Sequence, residues 1–375
     1  VQDFNLNEDI AYLNHAAVSP WPIRTCEAVK QFADENACNG ATDYLRWMEV
    51  ENTVRVQFAQ LLGLSQTDEI ALAKSTSEAL STIAYGINWQ TNDEILICAG
   101  EFPSNRIVWE SLATKSVKTK RVTINEHNVA QSLIDAAGPN TRLISVSSVQ
   151  YASGLRCDLT ALSTFCQKQN ILLCVDAIQS LGAFEFNQPE IQADFIVADG
   201  HKWLMAPEGL ALLYVKRKII SELTLHQFGW HMVEAKGDYG KSSWSPASDA
   251  TRFECGSPNM LGAHALSASL SLILERGVTK ISEEINSRVS YLINALETHL
   301  DCTILSPKAP EKRAGIVTFS IEGVDSEPLY KALMQAKVIC ANRGGGIRFS
   351  PHYYTPYTSL DLAIARLKAI INNHP

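Results

Sequence analysis

The sequence has no run of apolar residues long enough to span a bilayer, so no membrane-crossing helix is expected. No long block of like charge appears either, and Lys plus Arg number 32 against 40 Asp plus Glu. That acidic balance argues against a nucleic-acid surface, which needs clustered basic side chains. Cysteine occurs nine times, an odd number, at positions 26, 38, 98, 157, 166, 174, 255, 302 and 340. None forms a C-x-x-C pair, so neither a structural zinc site nor a redox motif is indicated, and no metal is expected. Scattered cysteines, several inside apolar runs such as "ILLCVD", fit a reducing cytoplasm. The first residues, Val1 to Asn5, carry neither the basic start nor the apolar stretch of a signal peptide, and a start at Val suggests trimming or renumbering. Internal repeats and low-complexity tracts are absent from the sequence.

What is present is an alternation. With 375 residues, 46% of them hydrophobic, the chain can bury a large core. Strand-like apolar runs at 94–100, 142–148, 171–177, 194–199 and 210–215 are separated by stretches with apolar residues at helical spacing, at 77–87, 105–115 and 159–170. This predicts an α/β fold with a mostly parallel central sheet. A polar, Gly- and Ser-rich region at 237–259 reads as irregular. Beyond it, helical patterns at 260–277, 281–300 and 359–371 and strand-like runs at 314–323 and 338–350 predict a smaller α+β C-terminal domain. The expected division is a lead-in segment 1–20, a large domain 21–255 and a small domain 256–375.

One stretch, "DFIVADGHKWLMAPEG", puts Lys202 among Trp203, Leu204 and Met205 at the end of a buried-strand pattern. Lysine is rarely buried without a partner. Asp176 ends the neighbouring run "ILLCV", and ligands of open α/β sheets bind outside the carboxyl ends of the strands. Apolar surroundings disfavour the ammonium form, which makes such a lysine a better nucleophile and a Schiff-base former. Pyridoxal phosphate is the aldehyde cofactor that needs a lysine of this kind together with a carboxylate on its ring nitrogen. Taken alone, an Asp and a Lys at neighbouring strand ends are more often an ordinary ion pair.

The local sequences are more specific. "YLNHAAVSP" (12–20), "KSTSEALS" (74–81), "VDAIQSLGA" (175–183), "ADFIVADGHKWLMAPEGLALLYV" (193–215), "RFECGSPN" (252–259) and "GGIRFSPHYY" (345–354) together resemble the class V aminotransferases of the fold-type I pyridoxal-phosphate enzymes. That family includes cysteine desulfurases, selenocysteine lyases, kynureninases and isopenicillin N epimerase-like proteins. The resemblance implies Lys202 as the Schiff-base lysine and Asp176 as the ring-nitrogen partner. It also implies Gln179 near the phenolic oxygen or phosphate, His201 as a phosphate contact, and Gln150 near the phenolic oxygen. Thr76 and Ser77 fall in the phosphate loop, where hydroxyls and free N–H groups at a helix start form an anion site. The same residues also read as a capped helix start, and the two readings are compatible. Ser257 matches a hydroxyl that in relatives reaches the phosphate of the neighbouring subunit's cofactor, which implies a homodimer with shared active sites.

Phe102 in "EFPSN" stands where desulfurases carry a proton-transferring His; its ring can stack on the cofactor but moves no proton. Asp199 stands where desulfurases commonly carry a phosphate-binding Ser, and an ionised carboxylate cannot replace that contact. Arg348 matches the arginine that grips the substrate α-carboxylate, a task suited to a bidentate guanidinium. Arg343 aligns with a second arginine, and Asn14 and His15 fall on the substrate side. "RGGGIRFSPHYY" contains no cysteine, which together with Phe102 speaks against a persulfide-forming desulfurase. The expected function is that of a PLP-dependent transaminase or Cβ-lyase acting on a small amino acid. A desulfurase or selenocysteine lyase, an epimerase, and a catalytically inactive binding protein are the alternatives.

Overall fold

The computed structural model describes residues 3–125 and 128–372. Seven strands form the central sheet: β1 (Ile70–Ala73), β2 (Glu94–Cys98), β3 (Lys118–Val122), β4 (Thr141–Ser147), β5 (Leu172–Asp176), β6 (Phe195–Asp199) and β7 (Ala211–Val215). Their spatial order is β1-β7-β6-β5-β4-β2-β3. Strands β2 to β6 run parallel, while β7 is antiparallel to both β6 and β1. The sheet is therefore mixed but mostly parallel, as the alternating pattern predicts. The reversed direction of β7 leaves no trace in "ALLYV", because a strand buried on both faces is apolar in either direction. Strand β3, "KTKRV", escapes the apolar pattern because it is an edge strand whose exposed positions carry charge.

Chain order reverses between β2 and β4: from β2 the chain moves outward to β3, and from β4 it proceeds the other way through β5, β6 and β7. A crevice forms at the carboxyl ends of the strands beside such a reversal. The loops that follow β2, β4, β5 and β6 open there.

The C-terminal part contributes a second, antiparallel sheet of β8 (Cys302–Ile304), β9 (Val317–Ile321), β10 (Ala341–Arg343) and β11 (Gly346–Phe349), in the order β10-β11-β9-β8. The single run expected over 338–350 is in fact three pieces. Val338–Ile339 pairs in parallel with Ala11–Tyr12, and β10 and β11 form a hairpin. Its two-residue turn, Gly344-Gly345, has φ of 63° and 84°, the left-handed backbone a tight hairpin of this kind requires. The helix Met260–Arg276 packs on Ile23–Asn39 and Tyr44–Leu62, while Val278–His299 and Tyr357–Asn372 pack together beside the small sheet.

Two ties fix the crevice walls. The segment 11–19 joins the sheets: Leu13 N–H donates to Ile339 (2.8 Å), Ser350 N–H to Leu13 (2.7 Å) and Ser19 N–H to His201 (2.8 Å). In the buried network below the 254–259 loop, Arg55 Nη2 lies 2.5 Å from both Glu51 and Glu254. His231 and the two carboxylates converge there as potential metal ligands, but the guanidinium already bridges both acids.

Candidate active site

A cavity of about 490 Å³ lies at the crevice, lined from five directions. The strand ends supply Asp176, Asp199, His201 and Lys202; the helix Thr76–Gly86 points its N-terminus inward; the loops after β2 and β4 add Phe102 and Tyr151. Asn14 comes from the N-terminal segment, and Arg343 and Arg348 from the β10–β11 hairpin. A second cavity, about 410 Å³, lies among Phe228, Trp230, Tyr239 and Trp244 and has no such convergence of reactive groups.

Lys202 sits in a tight turn built by apolar packing. Gly200 N–H donates to Leu210 (3.1 Å), Ala206 N–H to Gly200 (2.9 Å) and Met205 N–H to Lys202 (3.0 Å). Met205 holds φ at 58°, a conformation that costs a non-glycine residue about 1–3 kcal/mol and persists only where surrounding packing enforces it. Trp203, Leu204 and Met205 are all buried. Lys202 itself is 8% exposed, with its Nζ 5.4 Å from the centre of the Phe102 ring. Burial lowers its pKa to about 8, opposed by the nearby Asp176 carboxylate and reinforced by Arg348.

Asp176 is the last residue of β5 and only 2% exposed; its Oδ1 accepts from Ile178 N–H at 3.0 Å. Burial pushes its pKa up to about 7, against the pull of that hydrogen bond and of Lys202. The site thus holds a reluctant acid and a reluctant base, a pattern typical of groups that exchange protons in catalysis.

The helix Thr76–Gly86 begins with a side-chain cap and a glutamate that reaches back over it. Ser75 Oγ accepts from Glu78 N–H (3.2 Å), and Glu78 accepts from Lys74 N–H (2.6 Å). Thr76 Oγ1 is buried with no partner, and Ser77 Oγ donates to Ser104 (2.8 Å). Asp199, whose contact with a phosphate looked unfavourable, instead faces His201: its Oδ1 is 2.8 Å from Nδ1. The contact is close but not aligned as a hydrogen bond. His201 and the helix start line the same cavity.

Arg348, 3% exposed, donates from Nη1 to the Tyr151 carbonyl (2.7 Å), and its Nε is buried with no partner. Burial lowers its pKa to about 10, and Arg343 adds to the shift. Apart from the unaligned Asp199–His201 contact, Asn14 Oδ1 is a third unpartnered buried atom in the lining, after Thr76 Oγ1 and Arg348 Nε. An unmade hydrogen bond in a buried setting costs about 1–3 kcal/mol, so three such atoms around one cavity are suited to a polar guest. Free donors at a helix start, a buried neutral-leaning amine, a carboxylate at a strand end and an unpaired guanidinium are the donor set that pyridoxal phosphate and an amino-acid carboxylate require.

Of the residues singled out in the sequence, Lys202, Asp176, Thr76, Ser77, Phe102, Gln179, His201, Asn14, Arg343 and Arg348 line this cavity. Gln179 also acts as a rivet: it donates to Ala16 O (2.9 Å) and accepts from Trp203 Nε1 (2.8 Å). Three others lie elsewhere. Gln150 is outside the lining, donating to Glu101 (3.2 Å), which is itself held by Ser147. His15 is fully buried, its Nδ1 2.7 Å from Ser350 O and its Nε2 2.8 Å from Tyr354 Oη, and burial lowers its pKa to about 4. It therefore braces the N-terminal segment and does not face the cavity. Ser257 is exposed, in the loop beside Lys74 and Gly209. Sequence reasoning passed over Tyr151, Ser104, Glu327, Tyr330 and Asn342, which also line the cavity.

A mixed, mostly parallel sheet of this order, with a buried lysine in the turn after β6, is that of the fold-type I class of pyridoxal-phosphate enzymes. The sequence model of the class-V aminotransferases matches residues 11–352, and the chain belongs to that family. A protein of Methanothermobacter thermautotrophicus named a probable cysteine desulfurase is 27% identical, with 98% of this chain and 96% of the relative aligned. An uncharacterized aminotransferase of Bacillus subtilis is 27% identical over 91% of this chain and 89% of its own. Among solved structures, the apo cysteine desulfurase of Thermococcus onnurineus superposes with a TM-score of 0.87 at 23% identity, covering 99% of this chain and 96% of that one. The cystine C–S lyase C-DES, in complex with cysteine persulfide, gives 0.89 at 21% identity, covering 96% and 97%. At such identities the two structures establish the shared fold.

Proposed function

We propose that the cavity is the active site of a pyridoxal-phosphate-dependent Cβ-lyase acting on a small amino acid. Lys202 would hold the cofactor aldehyde, Asp176 its ring nitrogen, Phe102 its ring face, and Thr76, Ser77 and His201 its phosphate. Gln179 keeps one N–H free for the phenolic oxygen. When bound, the cofactor supplies an electron sink for the pair left on the substrate α-carbon.

The chain's own groups do the rest. The Arg348 guanidinium fixes the α-carboxylate, with the unpaired Nε as its additional donor. The Lys202 amine, far more readily deprotonated than an ordinary lysine, takes the α-proton and can return it. Asp176, as carboxylate, would face the ring nitrogen and favour its protonated form. Net elimination breaks the Cα–H and Cβ–X bonds; the Cβ–X electron pair leaves with X. Water is consumed, and the products are HX, a 2-keto acid and ammonium.

The observation favouring elimination over persulfide formation is the state of the cavity's thiol. Cys340 is the one cysteine in the described lining; it is 1% exposed, and burial pushes its pKa up to about 12. Such a thiol is neither accessible nor ionised, so it is a poor acceptor of sulfur. Elimination needs no protein nucleophile at the leaving group.

The test is product analysis of the holoenzyme with β-substituted amino acids. Keto acid and ammonium in equal amounts support the lyase; amino-group transfer to an added keto acid, without ammonium, identifies a transaminase. Lys202→Ala should abolish both the bound-cofactor absorbance band and turnover; normal activity in that variant refutes the assignment.

The working unit is a homodimer in this reading. It is supported by the exposed Ser257 outside its own chain's cavity, and by Phe228, Tyr239 and Trp244, which are 62%, 79% and 60% exposed in the neighbouring loops. A cytoplasmic setting fits nine cysteines that are all unpaired. No helix among the described residues is long and apolar enough to cross a membrane.

A further inference from the structure

The β10–β11 hairpin carries two cations on one face. Cross-strand partners share a face of a sheet, and the register pairs Ala341 with Arg348 and Arg343 with Gly346. Arg343 and Arg348 are therefore diagonal neighbours on one side of the hairpin, a relation that separates side chains by about 7–8 Å. Both line the cavity. The tight Gly344-Gly345 turn fixes this register, and Gly346 packs so closely that a Cβ there would lie 2.1 Å from Phe319 O.

Neither guanidinium has an acidic partner among the described residues. Arg348 contacts the Tyr151 carbonyl, and Arg343 donates to the Asn342 carbonyl (2.9 Å). Glu327, a carboxylate of the same lining, is engaged elsewhere: it accepts from Asn342 Nδ2 (2.9 Å) and pairs with Lys331 at 3.2 Å. Arg343 acts on Arg348 as an uncompensated like charge, adding to the burial that lowers the Arg348 pKa. Like charges on adjacent positions of a sheet face repel, and an anion spanning both would relieve the repulsion.

We propose that the substrate is an amino acid whose β-substituent ends in a second acidic group, held by Arg343 while Arg348 holds the α-carboxylate. This rests on the cavity being the amino-acid site described above. Because Arg343 is exposed at the mouth, it discriminates at the far end of the leaving group, away from the bonds that break.

Two compounds isolate this charge: S-carboxymethyl-L-cysteine and its neutral isostere S-carbamoylmethyl-L-cysteine. Their dissociation constants from the holoenzyme are read from the change in cofactor absorbance, and the products of each are assayed. The acid should bind about tenfold or more tightly than the amide. In Arg343→Gln the ratio should fall to near one, and Arg343→Lys should retain part of it. Equal binding by the native protein, a ratio that survives in Arg343→Gln, or failure of both compounds to bind overturns the proposal. A preserved binding ratio with no keto acid from either compound refutes the lyase reading alone.

Discussion

Removing the cofactor should leave a lysine that titrates near neutrality. In the cofactor-free protein Lys202 is 8% exposed, and its pKa falls from the ordinary 10.5 to about 8. At about 1.4 kcal/mol per unit, the ammonium form is disfavoured by about 3 kcal/mol. At pH 7.5 roughly a quarter of the side chain is then the neutral amine, against about a thousandth for an ordinary lysine. Competitive acetylation across pH 6–11, quantified peptide by peptide, measures this directly; Lys74, with 83% of its side chain exposed, serves as the internal reference for reagent reactivity. The Lys202 curve should have its midpoint near 8. In Asp176→Asn it should move lower, because the carboxylate is the main group opposing the shift. A midpoint at 10 or above in the native protein would refute the claim that the apolar turn activates the amine. Stability carries the same signature: between about pH 8 and 10.5 the unfolded chain holds a proton the folded lysine has lost, so Lys202 makes stability rise with pH across that window. Asp176 acts oppositely between 3.8 and about 7, where the folded carboxyl keeps a proton and stability falls as pH rises.

Two further substitutions test the supports of the site. Asp199→Asn removes the charge beside His201 Nδ1 and should weaken cofactor retention about tenfold, read as a faster loss of absorbance on dialysis; unchanged retention would mean the pair does not orient the imidazole. Gly315→Ala places a Cβ 2.3 Å from Trp203 Cη2, beneath the lysine turn, and should lower stability by about 1–3 kcal/mol in urea titration; an unaltered midpoint would show that the indole can give way.

The parts of the site that were legible in the sequence lie where strand ends fix side-chain direction. Asp176 ends one apolar strand and Lys202 follows another that is buried throughout, so the apolar pattern and the break after it place them at the sheet's carboxyl edge. Gln150 and His15 sit in irregular backbone, where no periodicity says which way a side chain points; one holds Glu101 and the other braces Ser350 and Tyr354. The hairpin at 341–349 was hidden because "ANRGGGIRFS" reads as one extended run until the two left-handed glycines fold it. The Asp199–His201 contact had a local signal, two residues apart across a tight turn, but its significance depends on the helix start facing it.

The segment 11–19 lends the cavity wall Asn14, Ala16 and Ala17, and it is bonded at one end to the strand that precedes the arginine hairpin and at the other to the carbonyl of His201, next to Lys202. It behaves as a caliper. The gap between the Lys202 amine and the Arg348 guanidinium is spanned by this short stretch of backbone, and Gln179 pins it midway through Ala16. Changes along its backbone would therefore shift one wall of the cavity against the other while leaving Lys202 and Arg348 themselves unaltered.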